Sequence, residues 1–148
     1  MTKIGILHKI KALFFVGYFT LIIFSGCKDD ENNNIPLVEV NFQYNINQPE
    51  YINLQTVGGW IEVFGGSRGI ILYRVSENKI MAYDRHCTFQ PSNTCGLVSV
   101  DPGNTTASDT CCGSSFLMTN GSVSKPPASA PLKSYTAIFN DPILTVTN

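Results

Sequence analysis

The chain contains 148 residues, of which 43% are hydrophobic, and has a formal net charge of −1. This is the length of one globular domain, large enough to bury a hydrophobic core. Ten basic residues against eleven acidic ones leave no excess of positive charge for phosphate contacts, so no nucleic-acid partner is predicted. No run has the 3.6-residue apolar period of a long amphipathic helix.

The N-terminal segment predicts export and lipid attachment. Three lysines are followed by an uncharged run over residues 12–24, which has the length of a signal-peptide apolar region and is short for a membrane span. The run ends in Phe24-Ser25-Gly26-Cys27, which resembles a bacterial lipobox with Phe24 in place of the usual leucine. Residues 1–26 are therefore predicted to be a lipoprotein signal peptide, and Cys27 to carry the acyl chains of a membrane anchor. An ordinary secretory signal with an unmodified Cys27 is the alternative.

Residues 27–36 are predicted to form the lipidated cysteine and a polar tether. Cys27 is followed by Lys28-Asp29-Asp30-Glu31 and three asparagines, a composition that does not pack into a core. This stretch resembles the signal that sends lipoproteins of Bacteroidetes-type bacteria to the outer face of the outer membrane. The predicted location is the outer membrane, with the cell surface and the periplasm-facing side both open. The predicted partners are the membrane, through the lipid, and an unidentified envelope protein.

The rest of the chain is predicted to consist of short strands. Apolar and polar residues alternate over residues 37–44 and again over 51–56, which is the pattern of a half-buried strand. Further β-rich runs cover residues 60–64, 69–75, 80–84, 115–118, 134–139 and 143–146. The pair Asn120-Gly121 is a strong sequence signal for a hairpin turn. Short strands at this spacing favour an all-β antiparallel sandwich or barrel.

Four of the five cysteines lie between Arg85 and Phe116, on two loops between predicted strands. The second loop ends in a Gly-Ser-x-Phe sequence, after which come the Asn-Gly hairpin, a proline-rich loop and two closing strands. This order of elements resembles the Rieske domain over roughly Val38 to Thr147. The resemblance implies a Rieske-like antiparallel β-sandwich or barrel over residues 37–148 with two cysteine-bearing loops. It also implies a family cofactor, a [2Fe–2S] cluster with two thiolates on one iron and two imidazoles on the other.

The ligand positions of that family are mostly altered in this chain. The family's first loop reads Cys-x-His, and Cys87-Thr88-Phe89 stands in its place, so Phe89 replaces an imidazole. The second loop reads Cys-x-Cys-His-Gly-Ser, and here Asp109 replaces the thiolate while Cys112 replaces the imidazole. Of the four ligand positions, Cys87 alone keeps the family residue. His86 is the single histidine after the predicted signal peptide, so one chain cannot supply two imidazoles.

These losses indicate a domain without cofactor or metal. Cys87, Cys112, His86 and Asp109 are each able to ligate a metal ion, but their spacing fits no other metal motif. The alternative is a Rieske-type electron-transfer protein with an unorthodox [2Fe–2S] site.

The resemblance also implies a disulfide between Cys95 and Cys111, the pair that ties the two loops together in the family. Cys87 and Cys112 then face each other across the former cluster position. A second disulfide is predicted between them, and two buried thiols are the alternative. Four cysteines in an oxidising compartment are an even number and allow three connectivities.

Three classes of function are compatible with this pattern. The leading prediction is a non-enzymatic binding or structural module at the cell envelope. The second is the electron-transfer protein with an unorthodox cluster. The third is a thiol–disulfide redox protein using Cys111 and Cys112, which lack the Cys-x-x-Cys spacing of a catalytic dithiol. No catalytic residues are predicted, because neither a serine–histidine–acid set nor a carboxylate pair is recognisable. Arg68, Arg85 and Phe89 are candidates for the rim of a binding patch.

Overall fold

The computed structural model describes residues 35–148. The predicted signal peptide, the lipidation site Cys27 and the acidic part of the tether lie outside the described residues. Within the described residues, no helix has the length and apolar character needed to cross a membrane.

Ten strands and one short 3-10 helix make up the described part of the chain. The 3-10 helix is Pro49–Gln55. The strands are β1 Asn41–Asn45, β2 Trp60–Val63, β3 Ile70–Ser76, β4 Lys79–Asp84, β5 Val98–Val100, β6 Thr106–Asp109, β7 Ser115–Leu117, β8 Val123–Lys125, β9 Ser134–Asn140 and β10 Ile143–Thr147.

The strands form two antiparallel sheets. One sheet has six strands in the order β1-β10-β9-β4-β3-β2, and the other has four in the order β5-β6-β7-β8. The four-stranded sheet is one continuous stretch of chain, inserted between β4 and β9. Both predicted cysteine loops belong to this insertion, because the first joins β4 to β5 and the second joins β6 to β7. The insertion therefore determines where the site lies.

Strand β3 is buried on both faces, as its largely apolar sequence predicts. Ile70 and Leu72 point into one hydrophobic cluster, which the rest of the six-stranded sheet surrounds together with Leu54 of the 3-10 helix. Ile71 and Tyr73 point the other way into a second cluster. The second cluster also contains residues of the four-stranded sheet and the loops, namely Val98, Ala107, Phe116, Met118, Ala128, Leu132 and Cys87. The six-stranded sheet thus has a core on each side, and the cysteine loops lie at the second one.

The prediction of a strand over residues 51–56 is wrong, because this segment lies in the 3-10 helix. Pro49 stands at the start of that helix, where its fixed φ and missing N–H are compatible with a first turn. Leu54 is the buried residue of the segment, and Arg74 donates from Nη1 to its carbonyl at 2.8 Å. One buried leucine and a side-chain contact to the backbone therefore anchor this segment without a strand pairing.

Candidate functional site

Three side chains from the two cysteine loops converge. The Sγ atoms of Cys87 and Cys112 are 3.5 Å apart, and the Cys112 Sγ is 3.3 Å from Oδ2 of Asp109. One ligand atom from each of the three residues lies within 4.8 Å of the other two. Cys87 and Asp109 are each 1% exposed. We call these three residues the Cys–Asp–Cys cluster.

The second loop places two members of the cluster through a tight turn. Asp109 is the last residue of β6, its N–H donates to the Ser114 carbonyl at 2.9 Å, and the Gly113 N–H donates back to the Asp109 carbonyl at 2.7 Å. The Cys111 N–H donates to Oδ1 of Asp109 at 2.7 Å. These contacts hold the carboxylate so that its other oxygen, Oδ2, lies beside the Cys112 thiol.

Ser114 supports Cys112 from the other side. The Ser114 hydroxyl oxygen is 3.1 Å from the Cys112 Sγ and accepts the Ala128 N–H at 2.9 Å. The Ser114 N–H also points at the Cys112 Sγ, at 3.4 Å. Ser114 therefore contacts the Cys112 sulfur twice, accepting from the thiol with its hydroxyl oxygen and donating with its N–H.

Cys87, on the first loop, is buried in the second hydrophobic cluster. Burial raises the pKa of the Cys87 thiol, and its hydrogen bond with the Asp109 carboxylate raises the pKa further. Cys87 is therefore a neutral thiol at ordinary pH unless a positive charge is brought next to it.

Cys95 and Cys111 form a disulfide between the two loops, with Cα atoms 5.9 Å apart. Cys87 and Cys112 are unbonded thiols, so the second bridge stays a prediction. Since Cys111 is bonded to Cys95, it is not paired with Cys112, and the dithiol on which the third class of function depends is not present among the described residues.

His86 is held by neutral groups and does not belong to the Cys–Asp–Cys cluster. Its Nδ1 is 2.8 Å from the Ser67 hydroxyl, and its Nε2 is 2.7 Å from the Pro91 carbonyl oxygen. Both ring nitrogens are therefore engaged, one by the turn between β2 and β3 and the other by the first loop. His86 also forms a β-bridge with Leu97. His86 acts here as a structural residue.

These residues do not fit the [2Fe–2S] cluster that the resemblance implies. That cluster needs two imidazoles on one iron, and the described residues contain one histidine, whose nitrogens face Ser67 and Pro91. Phe89 stands at the first imidazole position and packs against the second hydrophobic cluster. The donor set that is present consists of two sulfurs and one carboxylate.

Asp84, which the sequence patterns did not single out, organises the surroundings of the site. Asp84 is fully buried and accepts four hydrogen bonds, from the N–H groups of Ser67, Arg68 and His86 and from the Tyr135 hydroxyl. Its sequence context is that of an ordinary strand end. The one sequence signal for this role was a carboxylate at the end of a largely apolar strand, just before the cysteine loop.

Arg68, predicted as a rim residue, is a clamp on the first loop. Its guanidinium donates to the carbonyls of Gly96 and, at 2.7 Å, Asn93. Arg85 is likewise engaged, in an ion pair with Glu62 at 2.6 Å. Both guanidinium groups are therefore engaged within the domain, Arg85 by a carboxylate and Arg68 by neutral carbonyls.

A separate cleft of about 630 Å³ lies between the 3-10 helix and β2. Trp60 lines it, and the indole N–H of Trp60 donates to Oδ1 of Asn104 at 3.1 Å. Glu50, Asn53 and Thr56 supply further polar groups.

The arrangement of strands and loops is similar to that of solved Rieske structures. The cyanobacterial plasma membrane Rieske protein PetC3 from Synechocystis PCC 6803 matches with a TM-score of 0.50 at 22% identity, covering 60% of this chain and 86% of that chain. The complex of reduced oxygenase and oxidized ferredoxin in carbazole 1,9a-dioxygenase matches with a TM-score of 0.48 at 16% identity, covering 76% and 94%. The carbazole 1,9a-dioxygenase ferredoxin from Nocardioides aromaticivorans matches with 0.47 at 10%, covering 74% and 97%.

No family model matches the sequence, and no curated protein matches it. The strand content and the likeness to the PetC3 structure show that the described domain has an all-β, Rieske-like fold, which confirms the predicted fold class.

Proposed function

We propose that the protein is an envelope-anchored lipoprotein whose Rieske-like domain has lost the [2Fe–2S] cluster and acts as a non-enzymatic binding or structural module. The observation that carries this proposal is the engagement of His86. An imidazole that contacts Ser67 and Pro91 with its two nitrogens is not free to ligate iron. A Rieske centre needs two such imidazoles.

The residues at the former ligand positions support the same proposal. Phe89 contributes an apolar ring that packs in the core. Asp109 is an oxygen donor at a position where a [2Fe–2S] centre uses a thiolate. The disulfide between Cys95 and Cys111 ties the two loops together covalently and restricts the unfolded chain.

The cleft beside Trp60 supports the binding part of the proposal. Its volume of about 630 Å³ lies within the range of small-molecule sites, and Trp60 offers a ligand an aromatic surface beside the polar groups of Glu50 and Asn53. Trp60 is the single tryptophan of the chain, so its fluorescence reports ligand entry in a screen. Asn53→Ala in the cleft is expected to weaken a binding signal, while Asn78→Ala, in the turn between β3 and β4, serves as the matched control.

The absence of the cluster is tested on the full-length protein purified anaerobically. We expect a colourless protein without stoichiometric iron or acid-labile sulfide and without a paramagnetic signal after reduction. Two irons and two sulfides per chain, with a signal lost in Cys87→Ser, would establish the alternative electron-transfer function and overturn the proposal.

Restoring the family ligands tests whether the two loops can still hold a [2Fe–2S] cluster. The variant Phe89→His/Asp109→Cys/Cys112→His is expected to take up a [2Fe–2S] cluster on reconstitution, because all four ligands are then present. Phe89→His alone is the matched control and is expected to remain without one. A triple variant that folds, keeps its Cys95–Cys111 bridge and refuses a cluster shows that the loops differ from Rieske loops.

A further inference from the structure

The geometry points to a binding site for one thiophilic metal ion, a divalent d¹⁰ ion such as Zn²⁺, ligated by Cys87, Cys112 and Asp109. This inference rests on the proposed function, since a [2Fe–2S] cluster at the same loops would use Cys87. It departs from the expectation of a metal-free domain, which was based on the spacing of residues along the sequence.

Two of the three separations within the Cys–Asp–Cys cluster are close to the edges of a coordination tetrahedron, and the third is within 4.8 Å. Zn–S bonds are about 2.3 Å long, so two thiolates on one tetrahedral ion lie about 3.8 Å apart, and a thiolate and a carboxylate oxygen about 3.6 Å apart. The observed distances are 3.5 Å between the two sulfurs and 3.3 Å from the Cys112 sulfur to Asp109. A disulfide needs about 2.0 Å, so the sulfurs are placed closer to the geometry of a shared ion than to that of a bond.

The burial of Asp109 is the second observation. Buried carboxylates are normally paired with a cation or bound to a metal. Asp109 is 1% exposed, yet its side-chain contacts are the Cys111 N–H and the neighbouring thiols. The one ion pair among the described residues joins Arg85 and Glu62. A metal ion between the three donors supplies the missing positive charge.

The surroundings suit a bound ion in charge and in hydrogen bonding. Two thiolates and one carboxylate around a divalent ion leave one negative charge. Arg68 forms no ion pair with Asp109, but its positive charge lies in the neighbourhood, because Arg68 Nη1 and Asp109 Oδ2 both lie 3.5 Å from the position that a side-chain carbon on Gly96 would take. The Ser114 N–H directed at the Cys112 sulfur, with the Ser114 hydroxyl oxygen 3.1 Å from the same sulfur, is the kind of outer contact that orients a metal ligand.

Three protein ligands leave the fourth position of a tetrahedral ion for water or for a donor atom of a ligand. Metal sites with three protein ligands and one open position bind and activate small molecules in zinc proteins. The site therefore deepens the proposed binding function, since it offers a partner a coordination position.

The test measures metal content and metal uptake of the full-length protein, purified anaerobically without chelators. We expect one Zn²⁺ per chain and no acid-labile sulfide. Cd²⁺ should replace Zn²⁺ and produce a sulfur-to-cadmium charge-transfer band, which is lost in Cys87→Ser and in Cys112→Ser. Asp109→Asn should weaken Zn²⁺ affinity by at least about tenfold, because loss of a ligand costs no less than loss of an outer contact. Asp101→Asn, a matched change at a carboxylate that contacts Thr106 and Ser108, should leave the affinity unchanged.

The proposal is overturned by a protein that takes up neither Zn²⁺ nor Cd²⁺, including one isolated with a closed Cys87–Cys112 bridge. It is also overturned if uptake survives Cys112→Ser or if Asp101→Asn weakens affinity as much as Asp109→Asn does. These outcomes leave the proposed function standing, whereas iron with acid-labile sulfide contradicts the proposed function itself. The thermal midpoint of each metal-free variant, compared with that of the metal-free wild type, separates lost ligation from lost folding.

Discussion

Two buried tyrosines differ in what their hydroxyl groups contact. The Tyr83 hydroxyl has no hydrogen-bond partner among the described residues, whereas the Tyr135 hydroxyl donates to Asp84 at 2.6 Å. Tyr83→Phe is therefore expected to leave the free energy of unfolding unchanged or raise it by about 1 kcal/mol, because a desolvated and unsatisfied group is removed. Tyr135→Phe should lower it by about 1.5–3 kcal/mol, the range for hydrogen bonds to charged groups. Urea denaturation measures both, and equal losses would contradict the assignment.

The buried phenol of Tyr83 predicts that the free energy of unfolding falls in alkali. Burial raises the pKa of Tyr83 to about 12, above the value of about 10 expected in the unfolded chain. The neutral phenol is thus favoured in the folded state, so its contribution is complete below about pH 10 and is lost as the pH rises towards 12. The free energy of unfolding, measured against pH, should fall less steeply over this window in Tyr83→Phe than in the wild type. Identical slopes would show that Tyr83 does not titrate abnormally.

At the scale of elements, the hairpin turn after β7 is specified by Gly121. Its φ is +74°, and a side-chain carbon there would meet the Tyr83 ring at 2.8 Å. Gly113 in the second cysteine loop has a similar φ of +80° but has nothing within 4 Å. Both Gly→Ala changes cost about 1–2 kcal/mol of backbone strain, and Gly121→Ala should cost about 1–3 kcal/mol more from overpacking. Thermal and urea unfolding of the two variants provide the comparison, which fails if Gly113→Ala is the more damaging change.

Apolar alternation predicted β1, which begins at Asn41, later than expected, and β-rich runs predicted the other strands of the six-stranded sheet. Strands β5 and β6 were not recognised individually, because they have three and four residues and β6 is rich in small and polar residues. The pattern over residues 51–56 misled for a physical reason. Over six residues, apolar alternation does not distinguish a strand from a short helical turn. Here Leu54 is the residue of the segment that becomes buried, and one buried residue carries no period.

At the scale of the whole molecule, the predicted lipid anchor is tested through Cys27. Cys27→Ala is expected to release the protein from membranes or to leave the precursor uncleaved, since the anchor depends on acylation of that sulfur. Membrane fractionation with gel mobility gives the result. A mature-sized mutant that still fractionates with membranes would show that another element is the anchor. Replacing Asp29, Asp30 and Glu31 by alanine should reduce access of external protease if these residues direct surface display.

The sequence by itself predicted the fold class and, through the resemblance to the Rieske domain, the altered ligand positions. Both predictions depend on short residue patterns or on the number of residues of one type. Apolar alternation specifies which residues become buried in a sheet, and a histidine count limits how many imidazoles a chain can supply. The predicted replacement of an imidazole by Phe89 comes from matching Cys87-Thr88-Phe89 to the family's Cys-x-His loop.

The tertiary structure alone decided what the remaining donors do. Cys87 and Asp109 are on different loops, and they meet because the inserted four-stranded sheet packs against β3 and β4 through the second hydrophobic cluster. Asp84 likewise acquired its role through contacts with Ser67, Arg68 and Tyr135. Such convergence depends on long-range packing, which leaves no periodic trace in the sequence. The resemblance assigned Cys87, Asp109 and Cys112 to ligand positions of one site, but the distances between them come from the tertiary structure.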